Sequence, residues 1–372
     1  MTATKVGARR RWVWRLAPLI GLVVALVVSA VAGTNSLPPA LRAMLPVVEL
    51  VVLVAVVFAS VHHADVIAHR TGEPYGTLVL TVAVTVIEVA LILSIMLAGE
   101  GRAGLARETV FSVIMVVCNG VVGLCLIVGG LRYGEQGFRV TGASAYLVVL
   151  MPLTALTLIL PTYTTSAAGP FYTTTQLVFV SAVTLVLYGV FLYVQTVRHR
   201  DYFLSDPGDA SADKAPSGGP PARQFWESVV LLLVALVAVV LLAKHFAGSI
   251  ETFVATVGAP VDAVGLLVAL LVLLPETLAA LRAARNNELQ KSLNLALGSS
   301  LATIGLTIPA VSVLAMVLKQ PLELGVDMHD TVLLVLTFAV SLVTFGAGRT
   351  NILPGFVHLV LFATFVFLIF VP

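Results

Sequence analysis

Long apolar stretches, broken by short charged or turn-forming segments, follow one another along the chain. A helix that crosses a membrane needs about 20 mostly apolar residues, and eleven stretches are long enough. They lie at residues 12–33, 44–68, 75–98, 108–131, 143–161, 173–197, 226–247, 254–281, 291–318, 329–348 and 351–371. The pattern therefore predicts an all-α integral membrane protein with eleven transmembrane helices.

The composition indicates the same class of protein. Of the 372 residues, 59% are hydrophobic and 11% are charged, and the mean hydropathy is +1.05, whereas soluble domains carry about 25% charged residues. A net charge of +2 gives no basic surplus for a nucleic acid. These values exclude a soluble enzyme, a disordered protein and a nucleic-acid-binding protein, and they make the lipid bilayer the expected surroundings.

Lysine and arginine are distributed unevenly between the predicted loops, and cytoplasmic loops normally carry more of them. With the basic N-terminal segment in the cytoplasm, eleven crossings place 16 of the 21 Lys and Arg residues on the cytoplasmic side. We therefore expect a multi-pass protein of the cytoplasmic membrane with a cytoplasmic N-terminus.

One long polar segment, 198–224, is rich in Asp, Ser, Gly and Pro, which is typical of a flexible linker. It leaves five spans on each side once the first helix is set apart, and an odd number of crossings gives two bundles of opposite orientation. Secondary transporters use such inverted repeats, with the ion site where the repeats meet. The predicted organisation is a basic N-terminus with the first helix at 1–42, a five-helix repeat at 43–197, a cytoplasmic linker at 198–224 and a second five-helix repeat at 225–372.

Two glutamates occupy corresponding positions in the two predicted repeats. Glu88 lies midway along the second span of the first repeat, and Glu276 lies in the second span of the second repeat. An ionised carboxylate in hydrocarbon is costly and is normally kept for a function. The alternative, a neutral carboxyl group bonded to a neighbouring helix, suits one isolated glutamate better than a symmetric pair.

The span after each glutamate supplies polar and small residues. Asn119 lies in the span after the first glutamate, and Ser299 and Thr303 lie in the span after the second, with Asn294 as a secondary candidate. Two carboxylates with amide, hydroxyl and backbone oxygens can supply the six to eight ligands that Ca2+ takes. The predicted cation site therefore consists of both glutamates with Asn119, Ser299 and Thr303.

The same pair of glutamates suggests coupling to protons. Burial and a neighbouring carboxylate both favour the protonated form of a carboxyl group, so a proton and a cation should compete for the site. Competition at a site that opens to each side in turn is an antiport mechanism, although a uniporter could carry the same residues. The interpretation is a cation/proton antiporter, in which a cation of charge two would displace the protons.

Several segments together form a specific set of motifs. They are His62-His63-Ala64-Asp65, Gly72-Glu73-Pro74-Tyr75-Gly76-Thr77, Thr85-Val86-Ile87-Glu88, Cys118-Asn119-Gly120 and the stretch from Asn294 to Pro309. In these segments the chain resembles the cation/calcium exchanger superfamily, in particular its bacterial calcium–proton antiporter branch. The resemblance implies two inverted repeats, exchange by alternating access and one essential glutamate per repeat, at Glu88 and Glu276.

The resemblance also bears on the neutral ligands. Asn119 matches the asparagine of the family's first repeat, and Gly298 and Ser299 match the Gly-Ser pair of the second. The first repeat has Ile114 and Met115 where many members have Gly-Ser. The resemblance implies export of Ca2+ in exchange for H+, with Na+ or K+ as the alternative cation, because a weaker set of oxygen ligands would suit Na+ or K+ as well as Ca2+.

For several other polar residues a structural role explains their presence at least as well as a functional one. His62, His63 and Asp65 are secondary candidates for metal binding or proton relay, and a polar cluster that anchors the helix end explains them equally well. For His358, in the last span, an interhelical hydrogen bond is the better interpretation. An intramembrane serine hydrolase built on Ser299 and His358 is a remote alternative, because the sequence has neither a Gly-x-Ser-x-Gly nor a His-Glu-x-x-His motif.

The sequence thus predicts a transporter rather than an enzyme, with no resident cofactor and with a cation and H+ as substrates. It leaves open the preferred cation, the stoichiometry, a regulatory role for the linker and the oligomeric state, a homo-oligomer included.

Overall fold

The computed structural model describes residues 3–31, 39–71, 83, 85–93, 103–204, 220–260 and 262–371. In chain order its helices are α1 (Ala3–Val31), α2 (Pro39–Thr71), α3 (Leu105–Met115), α4 (Val122–Tyr133), α5 (Val140–Thr154), α6 (Leu160–Tyr163), α7 (Thr174–Tyr193), α8 (Ala222–Val257), α9 (Ala263–Arg285), α10 (Leu289–Ala302), α11 (Ile308–Leu318), α12 (Met328–Gly346) and α13 (Ile352–Phe370). Residues 83 and 85–93 are helical as well.

Irregular helical segments and one short sheet complete the described structure. Four segments are π-helical, Val116–Val121, Ala155–Ile159, Val194–Arg198 and Thr303–Thr307, and Arg200–Phe203 forms a 3-10 turn. Strands β1 (Gln136–Gly137) and β2 (Arg349–Thr350) pair antiparallel. This pairing ties the end of α4 to the beginning of α13.

Ten helices among the described residues are long and apolar enough to cross a membrane. They coincide with ten of the eleven predicted spans, since the π-helical segments continue several helices rather than end them. The other predicted span, 75–98, lies partly outside the described residues, and its described part is helical. Large apolar side chains such as Leu131, Val148, Val317 and Val343 are at least 70% exposed, which suits helices that face lipid. The chain is therefore a multi-pass membrane protein.

One boundary between spans lies further along the chain than predicted. Residues 248–253 separate the spans predicted at 226–247 and 254–281, but α8 continues through them to Val257. The His245 side chain on this helix lies 2.9 Å from the Ser29 hydroxyl on α1. The chain turns at Gly258, where φ is +69° and glycine avoids the strain of the left-handed conformation.

The chain divides into two compact units. The first is built from residues 1–100 and 215–258, and the second from residues 101–214 and 259–372. This division follows contacts and does not test the predicted repeat boundaries, which stay a prediction. Of the predicted linker, residues 205–219 lie outside the described part of the chain.

Three long helices, α1, α2 and α8, pack on one another in the first unit. One apolar cluster of this unit contains the buried residues Ala64 and Ile67 on α2, Leu232 on α8, and Ala83. Interhelical polar contacts lie around this core, among them the ion pair between Arg15 on α1 and Glu227 on α8.

The second unit contains α9 packed against α3, α4 and α10, while α13 lies along α4. The backbones of α4 and α13 approach closely where glycines face each other. A methyl group built on Gly355 would lie 2.9 Å from the carbonyl oxygen of Gly123, and the reverse distance is also 2.9 Å. Small residues permit such approaches between membrane helices. This contact sets the spacing of the helices that carry several polar residues of the candidate site.

Candidate cation site

Glu276 lies on α9 directly after Pro275. Its side chain is half-buried, and its Oε2 atom is enclosed without a hydrogen-bond partner among the described residues. An unpartnered buried carboxylate is costly, so this group needs either a proton or a cation. Pro275 has no amide hydrogen, so the carbonyl of Leu271, one turn earlier, lacks its usual helical donor. This part of α9 is therefore suited to hold a proton or a positive ion.

Two π-helical segments lie in the helices around α9. The Asn119 π segment (Val116–Val121) joins α3 to α4 and contacts α9, whereas the Thr303 π segment (Thr303–Thr307) joins α10 to α11 and contacts α3. Each segment falls in the third span of its predicted repeat, so the two halves share the same irregularity. π-helical turns are rare and occur frequently at functional sites. They expose backbone oxygens and place Asn119 and Thr303 where the regular helix is interrupted.

Asn119 is fully buried and both ends of its carboxamide are engaged. Its Nδ2 donates to Thr337 Oγ1 at 2.8 Å, and its Oδ1 lies 3.1 Å from His358 Nδ1. The second ring nitrogen of His358 lies 3.2 Å from Thr344 Oγ1. The interhelical hydrogen bond predicted for His358 is confirmed. Because a carbonyl oxygen has two lone pairs, one remains on Asn119 Oδ1 for a cation.

The predicted hydroxyl ligands lie on the helix formed by α10 and the Thr303 π segment. Ser299 is half-buried and Thr303 is buried. On the same helix Ser292, Ser300 and Thr307 are buried. The hydroxyls of Ser292 and Ser300 lie against the thiols of Cys125 and Cys118, whereas the Thr307 hydroxyl has no hydrogen-bond partner among the described residues. The sequence shows Ser300 and Thr307 in this polar span but does not single them out as ligands.

Glu88 belongs to the first compact unit, in the helical residues 85–93, and its side chain is 2% exposed. Thr85, one turn earlier, is buried too. Glu276 belongs to the second unit, so the convergence of the two carboxylates stays a prediction.

Helix contacts account for the secondary candidates near the end of α2. His63 is buried, with Nε2 3.0 Å from the carbonyl oxygen of Trp14 and Nδ1 3.2 Å from Ser228 Oγ. Because the carbonyl can only accept, Nε2 donates to it and Nδ1 accepts from the hydroxyl. The ring of His62 stacks on Trp14 with centroids 4.9 Å apart, and Asp65 is exposed. Both histidines therefore join α1 to α2, and His63 also reaches α8.

Asn294, the other secondary candidate, connects α10 to the 3-10 turn at Arg200–Phe203. Its Nδ2 donates to the carbonyl oxygen of Phe203 at 2.6 Å, and its Oδ1 accepts from Gln290 Nε2 at 2.9 Å. Both ends of this carboxamide are thus used within the protein in this conformation.

Among the described residues, no group of three or more His, Cys, Asp or Glu side chains is arranged to hold a metal ion.

Relatives of known sequence match nearly the whole chain. It is 44% identical over 362 residues to the putative ionic transporter y4hA of Sinorhizobium fredii, covering 97% of this chain and 96% of that protein. It is 38% identical over 354 residues to the sodium-potassium/proton antiporter ChaA of Escherichia coli, covering 95% of each chain.

Solved structures share the fold. The native structure of YfkE superposes with a TM-score of 0.71 at 17% identity, covering 96% of this chain and 100% of that one; YfkE is described as a Ca2+/H+ antiporter. Residues 43–197 and 227–371 match the family described as sodium/calcium exchanger protein. These two ranges contain both predicted repeats almost completely, with Glu88 in one and Glu276 in the other. The chain belongs to the sodium/calcium exchanger protein family.

Proposed function

We propose that this protein is a secondary active antiporter that exchanges a cation for H+ by alternating access. The observation that carries the proposal is Glu276, a carboxyl group within a membrane helix whose Oε2 has no hydrogen-bond partner in the described part of the chain. Such a group holds a proton or a cation in turn, because each neutralises the charge that the low-dielectric surroundings disfavour. Membership of an exchanger family supports the same function, and we propose transport with no enzymatic activity and no resident cofactor.

In this mechanism Glu88 and Glu276 alternate between a protonated and a cation-bound form. When the site opens to one side, an entering cation displaces the protons; when it opens to the other side, protons displace the cation. Asn119, Ser299 and Thr303 complete the shell as neutral ligands. Binding of only one of the two substrates at a time couples their opposite movements.

The proposed cargo is a small hard cation, and Na+ and K+ are favoured. ChaA, named as a sodium-potassium/proton antiporter, shares 38% identity over nearly the full length. Ca2+ needs six to eight oxygen ligands, whereas the Asn294 carboxamide bonds to protein groups at both ends and Asn119 Oδ1 keeps only one lone pair for a cation in this conformation. Ca2+ is the second candidate, because YfkE shares the fold and is described as a Ca2+/H+ antiporter.

We place the protein in the cytoplasmic membrane with its N-terminus in the cytoplasm. The basis is the distribution of charge, with 16 of 21 Lys and Arg residues on the side of the N-terminus. Cation extrusion would then proceed outward, driven by protons that enter the cell.

The test is cation-driven proton movement in everted membrane vesicles, with Na+, K+ and Ca2+ added separately. We expect the native protein to dissipate the proton gradient with at least one cation. Glu276→Gln and Glu88→Gln should abolish this response, because the amide keeps the side-chain shape but neither binds nor releases a proton at neutral pH.

Glu288→Gln is the matched control, since this glutamate precedes α10 in an exposed loop and pairs only with Lys291 at the surface. Its vesicles should respond like the native ones. A Glu276→Gln protein that is present, folded and fully active would overturn the role of this carboxyl group. Absence of any response in native vesicles, at normal protein abundance, would overturn the antiporter function itself.

A further inference from the structure

A chain of hydrogen bonds runs through the core of the second unit and has a defined direction. Thr337 Oγ1 lies 3.6 Å from Met115 Sδ and donates to it, because sulfur here can only accept. Thr337 therefore accepts from Asn119 Nδ2 at 2.8 Å. This contact assigns the amino end of the carboxamide to Thr337 and leaves its oxygen end facing His358.

The same logic assigns the protons of His358. Asn119 Oδ1 is an acceptor, so His358 Nδ1 carries a hydrogen and donates to it at 3.1 Å. In the neutral ring Nε2 then has a lone pair, which accepts from Thr344 Oγ1 at 3.2 Å. The ring also lies beside the carbonyl of Cys118, another acceptor. Each polar atom of this His358 network thus has a partner of matching type.

The surroundings hold the histidine in place. His358 is 0% exposed, its ring stacks on Phe345, and its salt bridges and hydrogen bonds among the described residues include no carboxylate. It lies one turn after Gly355, where the backbones of α4 and α13 are in contact. The ring is therefore fixed by packing as well as by hydrogen bonds, and it can fix the group to which it donates.

We propose that His358 is a positioning residue of the cation site. It holds the Asn119 carboxamide in one orientation, so that the second lone pair of Oδ1 stays available to the cation at the irregular Asn119 π segment. Residues that orient a ligand in this way typically change metal affinity 10- to 100-fold when they are replaced. This inference rests on the proposed function, since it assigns His358 to the same cation site.

Two substitutions of His358 separate its two nitrogen atoms. The Nδ2 of an asparagine is bonded to Cγ, as is the histidine Nδ1, so His358→Asn retains a donor toward Asn119. His358→Gln instead places its nitrogen one bond further out, near the position of Nε2, and loses that donor. Both variants remove the ring, so their losses of packing are comparable.

We would measure the half-saturating cation concentration and the maximal rate of exchange in vesicles, with thermal unfolding of the purified proteins as a measure of folding. His358→Gln should raise the half-saturating concentration about 10- to 100-fold with a nearly unchanged maximal rate. His358→Asn should remain much closer to the native value. Equal effects of the two substitutions, or native values for both, would overturn the proposal.

A second pair of variants keeps the test informative if both His358 variants fail to fold. Thr337→Val preserves shape but removes the acceptor of Asn119 Nδ2, and it should also raise the half-saturating concentration. Ser341→Ala, on the same helix, removes a buried hydroxyl for which the described residues offer no hydrogen-bond partner, and it should leave the half-saturating concentration unchanged. A native half-saturating concentration in Thr337→Val would contradict the proposal. Absence of exchange in the unsubstituted protein would instead contradict the antiporter function.

Discussion

Gly355→Ala should separate α13 from α4 and so weaken both the fold and the cation site. The new methyl group would lie 2.9 Å from the carbonyl oxygen of Gly123 and 2.7 Å from Ile127 Cγ1. The isoleucine can change its rotamer, but the carbonyl belongs to the α4 backbone. Relief therefore requires the two helices to move apart.

The size of the movement follows from these distances. An ordinary contact is about 3.4 Å, so the gap of 2.9 Å must open by about 0.5 Å. The same shift would lengthen the 3.1 Å contact between His358 and Asn119 to about 3.6 Å, which is too long for a hydrogen bond. Overpacking of this kind costs about 1–3 kcal/mol. We therefore expect a lower unfolding temperature and a higher half-saturating cation concentration in the same variant.

Gly189→Ala is the matched control, because Gly189 is an exposed residue of α7 and a methyl group there would meet nothing within 4 Å. Alanine should stabilise that helix by about 0.5–1 kcal/mol. The assay is thermal unfolding in detergent together with cation titration in vesicles. If Gly355→Ala unfolds no earlier than the native protein, the close backbone contact does not limit the spacing of these helices.

Two further predictions concern contacts away from the site, both measured by thermal unfolding. Arg107→Gln should lower the free energy of unfolding by about 1–3 kcal/mol, because it leaves the partly buried carboxylate of Glu323 without its ion pair. The control is Lys291→Gln at an exposed ion pair, which should change the free energy of unfolding by no more than about 0.5 kcal/mol. Equal effects of the two substitutions would contradict this ranking. Thr173→Ala should cost about 1 kcal/mol, because Thr173 and Gln176 form a capping box at the beginning of α7; an unchanged unfolding temperature would mean that the cap is not limiting.

The spans could be predicted from the sequence because a membrane imposes a length and a composition on each helix. The polar contacts within the bundle could not be predicted in the same way. An interhelical bond was expected for His358, but its partner Asn119 lies 239 residues away, and no local pattern links the two. The end of α8 is equally hard to predict, because the polar residues after 243 lower the apolar content of the helix without ending it.

The candidate site, too, could be predicted from the sequence only in part. Glu276 stands out because a carboxyl group in hydrocarbon needs an explanation. Thr307 does not stand out, because hydroxyls are common in membrane helices, and only its lack of a partner among the described residues distinguishes it. The π-helical turns are equally hidden, since Val116–Val121 reads as one apolar helix with its neighbours.

The Asn119 π segment has a consequence for the tolerance of the chain to length changes. A π-helical turn contains one residue more than an α-helical turn, so deletion of one residue within Val116–Val121 would restore regular helix with little rotation of the helix that follows. Gly123 would still face Gly355 on α13. The extra residue is therefore not needed for the pairing of α4 with α13, and a one-residue deletion is expected to keep the fold while it removes the irregular backbone at Asn119.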